Sequence, residues 1–384
     1  MDLKEAVRHH IGRAEQSAVE LSHRIHAHPE IGFEEVRASH WVGDALSEAG
    51  FMVNPDVAGM PTALAATAGS GPLVIGICAE YDALPGIGHA CGHNVIAGAA
   101  VAAASGLAPI ADDLGITVKV FGTPAEENGG GKVRMLEAGV FDGTHAAMMI
   151  HPSTVDQVYT NALAIGDILV DFTGRNAHAS AAPYEGVNAG DAVTLAQVAV
   201  GLLRQQFRPG DQIHGIVTNG GEAPNIIPAK AGAHYYIRAS DLDALKALEE
   251  RVQRCFEAAA LATGCELTTS HTSPDYSEFR NDTALAGLYE RNAVRLGRSF
   301  APVEEAHSPL GSTDMGNVSR VIPAIHPNVA LDCGASVNHQ PEFAAHCAGP
   351  SADRALVDGA TAMAWTIVDI ATDPTLREQF ISGR

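Results

Sequence analysis

The sequence predicts an α/β protein in which a domain with a mostly parallel sheet carries an inserted α+β domain. Three observations support this fold class: strand and helix patterns alternate in the first part of the chain, the order changes between about residues 165 and 276, and the alternation then returns. Alternating strands and helices are typical of a parallel sheet flanked by helices. The length of 384 residues also favours two domains over one core.

The first part of the chain contains three apolar strand patterns separated by helical patterns. In order, these segments are the strand in PLVIGICAEYDALP, the helix NVIAGAAVAAASGLA, the strand in GITVKVFGTPAEE, the helix GKVRMLEAGVF and the strand THAAMMIHP. The strands lead into polar residues: Glu80 and Asp82, then Glu126 and Glu127, then His151. Because the carboxyl ends of parallel strands share one edge of a sheet, where open α/β sheets bind ligands, we expect these residues to converge.

The middle of the chain has a different order of elements. Its strand patterns are IGDILVDFTG, QIHGIVTNGG, AGAHYYIRA and ELTTSHTS, and its helical patterns extend from Asn188 to Phe207 and from Asp241 to Thr263. The order strand, helix, strand, strand, helix, strand is that of a ferredoxin-like α+β domain. The predicted domains are therefore residues 1–164 and 277–384 for the discontinuous first domain and residues 165–276 for the inserted one.

Composition excludes several classes of partner. The chain has 24 Lys and Arg against 45 Asp and Glu, a net charge of -21 that opposes binding to nucleic acid or to an anionic membrane surface. Its six cysteines are scattered without C-x-x-C spacing, which favours a reducing compartment. The N-terminal segment lacks the apolar core of a signal peptide, and the run from Val95 to Ala111 is too weakly hydrophobic to span a bilayer. A cytoplasmic location is expected.

The stretch GHACGHN, from Gly88 to Asn94, gathers soft donor atoms and indicates a metal site. Cys91 and His93 offer a thiolate and an imidazole, and His89 is interpreted as part of the scaffold. The full set of candidate ligands is Cys91, His93, Glu127, His151 and His339. Such a set, with a bridging thiolate, suits two ions better than one.

Glu126 is the candidate general base, since a carboxylate beside bound water can accept its proton and pass it to a leaving amine. Simpler interpretations exist for the same residues. Glu126 and Glu127 could form an acidic turn that caps the following helix, and His151, which precedes Pro152, could be a hydrogen-bonded histidine at a strand end. The sequence GGGK from Gly129 to Lys132 lacks the spacing of a phosphate-binding loop.

The inserted domain offers polar residues but no ligand cluster. His178 in GRNAHAS, Asn225 in EAPNIIPAK and Arg238 in YYIRAS could hold a tetrahedral oxyanion and a substrate carboxylate, because arginine binds carboxylates in a bidentate manner. Arg238 could equally form an ordinary surface salt bridge. The sequence alone leaves these alternatives open.

The motifs resemble those of a known family. AEYDALPGIGHACGHN, GTPAEENGGGK, MMIHP, NAHAS, APNIIPAKA with IRA, GSTDMGNVS and NHQPEF occur in the order found in the M20 metallopeptidases. The sequence is most similar to the amidohydrolase branch, in which Cys replaces a bridging Asp, and within it to the group of β-alanyl-lysine dipeptidases and aminobenzoyl-glutamate hydrolases. The resemblance covers essentially the whole chain.

The resemblance implies specific roles for residues that match the family motifs. Asp82 matches an aspartate that orients a metal ligand, and Glu126 matches the general base. His178 matches a lid-domain histidine that reaches the active site of the second subunit, while Asn225 and Arg238 match substrate-binding residues. The matches to metal ligands are Cys91, His93, Glu127, His151 and His339. The resemblance therefore also implies a homodimer that forms through the inserted lid and dimerisation domain. It implies two divalent ions, zinc or manganese, in each subunit.

The expected function is metal-dependent hydrolysis of the amide bond in a small N-acyl amino acid, an aminobenzoyl-glutamate-like conjugate or a dipeptide with a free carboxylate. Two departures limit the transfer of substrate preference: Asn94 stands where many relatives have Asp, and CAEYDALP replaces RADMDALP. Two alternatives are a catalytically idle relative that binds a carboxylated ligand and a structural zinc protein with a closed four-ligand site.

Overall fold

The computed structural model describes residues 2–300 and 311–383. The chain forms two compact units. Unit 1 contains Met1–Asn161 and Phe279–Arg384, and unit 2 contains Ala162–Glu278. Each unit has its own hydrophobic core, so the inserted segment is a domain in its own right.

The strands of the described residues are β1 (Met52–Pro55), β2 (Leu64–Gly69), β3 (Leu73–Glu80), β4 (Ile116–Thr123), β5 (Ala146–Met148), β6 (His151–Ser153), β7 (Ala164–Thr173), β8 (Gln212–Asn219), β9 (Lys230–Ala239), β10 (Glu266–Ser270), β11 (Ala324–Ile325) and β12 (Asn328–Ala330). The α-helices are α1 (Leu3–His26), α2 (Val36–Glu48), α3 (His93–Leu107), α4 (Gly131–Glu137), α5 (Ala189–Leu203), α6 (Leu242–Thr263), α7 (Thr283–Arg295), α8 (Met315–Val321), α9 (Pro341–His346), α10 (Pro350–Thr372) and α11 (Pro374–Ser382).

Unit 1 is built on a six-stranded sheet with the order β1-β2-β4-β3-β5-β11. The pairs β4–β3, β3–β5 and β5–β11 are parallel, whereas β1 and β2 form an antiparallel edge next to β4. The central strand β3 is almost entirely buried, as its continuous apolar sequence predicts. The mostly parallel sheet expected from the sequence is therefore confirmed.

The segment THAAMMIHP differs from its prediction as one strand. It forms β5 in the main sheet and then β6, which pairs in parallel with β12 in a separate two-stranded sheet. The chain leaves the main sheet between Met148 and His151, and the partner segment divides in the same way, with β11 beside β5 and β12 beside β6. This break places His151 at the start of β6.

Helix α3 packs inside unit 1 through its small residues. A Cβ atom added at Gly98 would lie 2.4 Å from Leu356 Cδ1 of α10, and one added at Gly106 would lie 2.5 Å from Ile11 Cγ1 of α1. These glycines therefore let three helices approach closely. By length and composition alone, His93–Ile110 and Pro350–Thr372 could cross a membrane, but 78% of the apolar window in each is buried inside the protein, as in a core helix.

Unit 2 contains an antiparallel sheet with the order β10-β7-β9-β8 and the two helices α5 and α6. Its elements follow the chain order β7, α5, β8, β9, α6, β10, which confirms the predicted ferredoxin-like α+β fold. Asn188 caps α5 and Asp241 caps α6 through side-chain hydrogen bonds to backbone N–H groups. The buried faces of both helices pack on the sheet and form the core of the unit.

Candidate metal centre

Polar side chains collect where β3 and β4 end. Glu80 is the last residue of β3 and Asp82 follows it, while Glu126 and Glu127 lie just beyond the end of β4. Because β3 and β4 are parallel and paired along their whole lengths, their carboxyl ends lie side by side. Helix α3 begins at His93, close to the same edge. The fold thus brings together residues that are distant in the sequence.

Asp82 connects two of the candidate ligands. His93 donates a hydrogen bond from Nδ1 to Asp82 Oδ1 over 2.9 Å, and the backbone N–H of Glu127 donates to Asp82 Oδ2 over 3.0 Å. His93 Nε2 is buried and has no hydrogen-bond partner among the described residues. A carboxylate on one ring nitrogen and a lone pair on the other is the usual arrangement of a metal-binding histidine.

The five candidate ligands form overlapping groups of donor atoms. Cys91, His93 and His151 each place one donor atom within 4.8 Å of the donor atoms of the other two. The same is true of Cys91, Glu127 and His339. Cys91 belongs to both groups, so its thiolate lies near the other donor atoms of each. Glu126 and Glu127 lie within the same distance of His93, so the candidate base adjoins the candidate ligands.

Local backbone structure positions the two remaining histidines. His151 donates from Nδ1 to its neighbour's carbonyl, Pro152 O, over 2.7 Å, which directs Nε2 away from that bond. His339 adopts a left-handed conformation with φ 68°, and its N–H donates to Ala90 O, beside Cys91. Gly92 has φ 75°, and a Cβ atom there would lie 2.7 Å from Pro152 Cγ, so only glycine fits between the two ligand segments.

The cluster is strongly anionic, and its members are buried or partly buried except for the exposed His339. Burial raises the pKa of Glu126 well above its usual range, and the charges of Glu80, Glu127 and Asp314 raise it further. Burial also raises the pKa of Glu127, although His93 opposes the shift. The surplus negative charge is what bound divalent cations would balance.

The residues present fit a metal ion by their chemistry. Thiolate, imidazole and carboxylate are the ligands that zinc binds, and imidazole and carboxylate also suit manganese. Two buried donor atoms, His93 Nε2 and Glu127 Oε1, have no hydrogen-bond partner in residues 2–300 and 311–383. A buried polar atom left without a partner is costly unless a ligand satisfies it.

The structure adds polar residues to which the sequence had assigned no role. The Lys132 ammonium group is fully buried and donates to Glu80 Oε1 over 2.5 Å and to Asp314 Oδ1 over 2.7 Å. Lys132 lies in GGGK and Asp314 in GSTDMGNVS, and neither motif by itself indicates this contact. Only the fold shows that a lysine neutralises two carboxylates at the edge of the cluster.

His326 is a second residue of this kind. Its ring is buried, with its centroid 5.4 Å from that of His151, and neither ring nitrogen has a hydrogen-bond partner within the described part of the chain. Burial lowers the pKa of His326 well below its usual value, so the imidazole is neutral. The signal in the sequence is the repeated tripeptide Ile-His-Pro, at Ile150 and again at Ile325.

The substrate-binding candidates belong to unit 2, and within it they do not form one group. His178 and Asn225 lie in adjacent segments, since Ala179 N donates to Asn225 O over 3.0 Å and His178 pairs with Ile226 in a β-bridge. Arg238 lies near the opposite end of β9, which at about 3.3 Å per residue is roughly 25 Å away. A single copy of unit 2 therefore does not unite all three residues.

The fold and the site define a metal-dependent hydrolase with an inserted dimerisation domain, and comparisons with known proteins agree. Residues 164–264 match the family model described as a peptidase dimerisation domain. The Xaa-Arg dipeptidase of Mus musculus is 38% identical over 98% of this chain and 90% of its own length. One of the subunits of the p-aminobenzoyl-glutamate hydrolase of Escherichia coli is 35% identical over 72% of this chain and 62% of its own length.

A solved structure shows the same fold. It is a dinuclear metal-binding peptidase of the M20 family from Bacillus subtilis, which has a TM-score of 0.69, 21% identity and coverage of 94% of this chain and 99% of its own. The chain belongs to the M20 family of metallopeptidases and is an amidohydrolase of that type. These relatives do not favour an idle binding protein.

Proposed function

We propose that this enzyme uses two divalent metal ions, zinc or manganese, to hydrolyse the amide bond of a dipeptide or N-acyl amino acid that has a free carboxylate. The observation that carries the proposal is the overlap of donor atoms from Cys91, His93, Glu127, His151 and His339, with Glu126 beside His93 and Glu127. The relatives named as an Xaa-Arg dipeptidase and an aminobenzoyl-glutamate hydrolase support this substrate class. An Xaa-Arg dipeptide is the first substrate to test.

The chemistry is divided between the ions and the side chains. When bound, the ions supply Lewis acidity that polarises an amide carbonyl and lowers the pKa of water. Glu126 accepts the proton of the attacking water and delivers it to the departing amine. Asp82 keeps the His93 ring and the Glu127 backbone in place through its two oxygens, so the ligands need not reorganise during turnover.

The inserted domain supplies the contacts to substrate. In the proposed mechanism, His178 donates a hydrogen bond to the oxyanion from Nε2, because its Nδ1 faces the backbone N–H groups of Ser180 and Ala181. Arg238 binds the substrate carboxylate through its guanidinium fork, and Asn225 holds the substrate beside His178. The separation of Arg238 from the other two residues favours a site assembled from two copies of the chain.

We therefore include a homodimer in the proposal. The edge strand β8 exposes Ile216 and Val217, and helix α5 exposes Leu195, Val198 and Leu202 on one face. Exposed strand edges and apolar patches are the surfaces on which a second chain can pair. Residues 1–164 and 277–384 would then be catalytic, residues 165–276 would form the lid and dimerisation domain, and the enzyme would act in the cytoplasm on small molecules, without nucleic acid or membrane partners.

The test is amide hydrolysis by the wild-type enzyme and by Glu126→Gln. The panel contains Xaa-Arg and other dipeptides, N-acyl amino acids and aminobenzoyl-glutamate, with enzyme treated with chelator and then restored with zinc or manganese. Loss of the base should lower kcat by about 100-fold to 10,000-fold, while the enzyme keeps two equivalents of metal bound. Glu137→Gln, an exposed glutamate in α4, is the matched control and should retain wild-type turnover. Full activity of Glu126→Gln would contradict the mechanism.

A further inference from the structure

Glu80 occupies an unusual position between a buried cation and a candidate metal ligand. Its Oε1 accepts the short hydrogen bond from Lys132 Nζ, and the side chains of Glu80, Lys132 and Asp314 are all fully buried. This bond holds Oε1 and leaves Oε2 without a hydrogen-bond partner among the described residues. A carboxylate held in this way is oriented for a second partner.

The second oxygen of Glu80 faces His93. Glu80 Oε2 lies 3.4 Å from His93 Nε2, and neither atom has a hydrogen-bond partner in the described ranges 2–300 and 311–383. In the neutral form that binds a metal, the His93 ring donates its Nδ1 proton to Asp82, and Nε2 carries a lone pair, as does Glu80 Oε2. Burial lowers the pKa of His93, but the charges of Asp82 and Glu80 outweigh it and raise the pKa, so without metal a proton on Nε2 lies between the two atoms. A metal ion bound by Nε2 would take the place of that proton beside Glu80 Oε2.

The distance between the two atoms fits a common ion. Ligand atoms about 2.0–2.2 Å from a tetrahedral zinc ion lie about 3.4 Å apart. We propose that Glu80 binds, through Oε2, the same ion as His93 and is a sixth protein ligand of the metal centre. The inference rests on the two-ion centre of the proposed function and adds to it a residue outside the five ligands that match the family motifs.

Asp314 provides an internal comparison. It is as buried as Glu80 and contacts the same lysine, but both of its oxygens already accept hydrogen bonds, Oδ1 from Lys132 Nζ and Oδ2 from Lys132 N. Asp314 therefore shares the charge of Glu80 without an oxygen directed at His93. Neutralising either residue removes one negative charge, and only one of the changes removes the proposed ligand.

The experiment measures metal binding directly, by competition of zinc with a chromophoric chelator and by the visible absorption of the cobalt-substituted protein. In Glu80→Gln, one of the two zinc equivalents should bind more than about 100-fold more weakly, a loss above the range of residues that only orient ligands. The cobalt spectrum should change in intensity because the coordination at that ion changes. Asp314→Asn should weaken zinc binding by no more than about tenfold and leave the cobalt spectrum unchanged.

Glu80→Asp is the second variant, since it keeps the charge beside Lys132 but withdraws the oxygen from His93. It should also weaken one zinc equivalent, and wild-type affinity in a folded Glu80→Asp protein would overturn the inference even if Glu80→Gln fails to fold. Equal losses in Glu80→Gln and Asp314→Asn would likewise overturn it, because charge alone would explain them. Wild-type protein that binds neither zinc nor manganese would reject the two-ion centre itself, so the two failures are distinguishable.

Discussion

Asp82 shows how one buried side chain can determine the geometry of a whole site. One oxygen accepts a hydrogen bond from the ring of His93, at the start of α3, and the other accepts one from the backbone N–H of Glu127, in the loop after β4. Burial disfavours its charged form, but the charge and hydrogen bond of His93, together with the Glu127 N–H, outweigh this effect and lower the pKa of Asp82. Asp82 therefore stays ionised and keeps both ligands oriented across the working pH range.

In unit 2 the pKa of Glu249 shifts in the opposite direction from that of Asp82. Burial, assisted by the charge of Asp275, raises the pKa of Glu249 to about 7, although His271 and Lys246 lower it. Below the pKa of the unfolded state, about 4.5, Glu249 is protonated in both the folded and the unfolded protein, so its titration does not change the free energy of unfolding. As the pH rises from about 4.5 to about 7, the unfolded state releases its proton first, so the free energy of unfolding falls.

The pH dependence of unfolding should therefore change in Glu249→Gln. Relative to the wild type, this variant should gain stability at pH 8 and differ little at pH 4.5, because glutamine resembles the protonated form. Urea denaturation at several pH values, followed by a probe in unit 2, measures the effect. Glu250→Gln, an exposed neighbour on α6, serves as control and should track the wild type. A Glu249→Gln protein that is no more stable than wild type at pH 8 would contradict this account.

At the scale of elements, the segment from Glu30 to Glu35 forms hydrogen bonds with both loops that carry acidic residues of the site, one beside Asp82 and one beside Glu126. Ala83 N, next to Asp82, donates to Glu30 O over 2.8 Å, and Ala125 N, next to Glu126, donates to Glu35 Oε1 over 2.8 Å. Ala125 has φ 55°, a left-handed conformation that its surroundings must maintain. The buried Glu35 carboxyl is thus the brace of the loop that carries the general base.

Removing this brace should impair turnover more than substrate binding. In Glu35→Ala the buried N–H of Ala125 loses its acceptor, the loop relaxes, and a shift of Glu126 by about 1 Å should lower kcat by about 10-fold to 100-fold with little change in KM. Burial raises the pKa of Glu35 to about 7, with a contribution from Asp82, so Glu35→Gln should mimic the protonated acid and retain most activity. Steady-state kinetics on the dipeptide substrate measures both.

The neighbouring Glu34 provides the control, since it is exposed, and Glu34→Ala should leave kcat unchanged. A Glu35→Ala enzyme with wild-type kcat would show that the loop keeps its conformation without the brace. Loss of activity in Glu35→Gln equal to that in Glu35→Ala would show that charge, and not hydrogen bonding, is what Glu35 supplies.

Periodicity predicts most of the elements because their apolar patterns agree with their burial. The strand in GITVKVFGT and the helix from Asp241 to Thr263 lie where the sequence places them, within a few residues. THAAMMIHP is predicted as one strand because its centre, AAMMI, is uniformly apolar, and a pattern of composition cannot show that the chain changes sheets. Strand pairing is a property of distant segments, so local sequence does not contain it.

For the site, too, the sequence predicts what short motifs and sheet topology determine, but not contacts between distant segments. Cys91 and His93 share one short motif, and the topology of a parallel sheet is enough to predict that Glu127 and His151 lie near them. The sequence does not reveal Glu35 and Lys132, because their roles arise from contacts across the fold, of which an isolated glutamate or lysine gives no sign. For His326 the sequence offers only the repeated Ile-His-Pro tripeptide, which does not show that its ring packs beside His151. The ligand roles of the five predicted residues stay predictions until metal binding is measured.

At the scale of the whole molecule, the proposed dimer determines whether the substrate site is complete. Leu202 on α5 is 71% exposed and Ile216 on the edge strand β8 is 67% exposed, so both present apolar surface to solvent in a single chain. On α6, Leu261 is 87% exposed, and it is the matched control because it lies on the other helix of the unit. The dimer surface is predicted to include α5 and β8 and to exclude Leu261.

Leu202→Glu should therefore weaken dimerisation by at least about tenfold, because a buried charge at the interface has no partner to compensate its desolvation. Sedimentation velocity over a range of protein concentrations measures the shift, and Leu261→Glu should remain as dimeric as the wild type. Monomeric Leu202→Glu should also lose turnover while it keeps its metal ions, since His178 and Asn225 of one copy would no longer meet Arg238 of the other. Full activity in a monomeric variant would show that one chain builds the complete site.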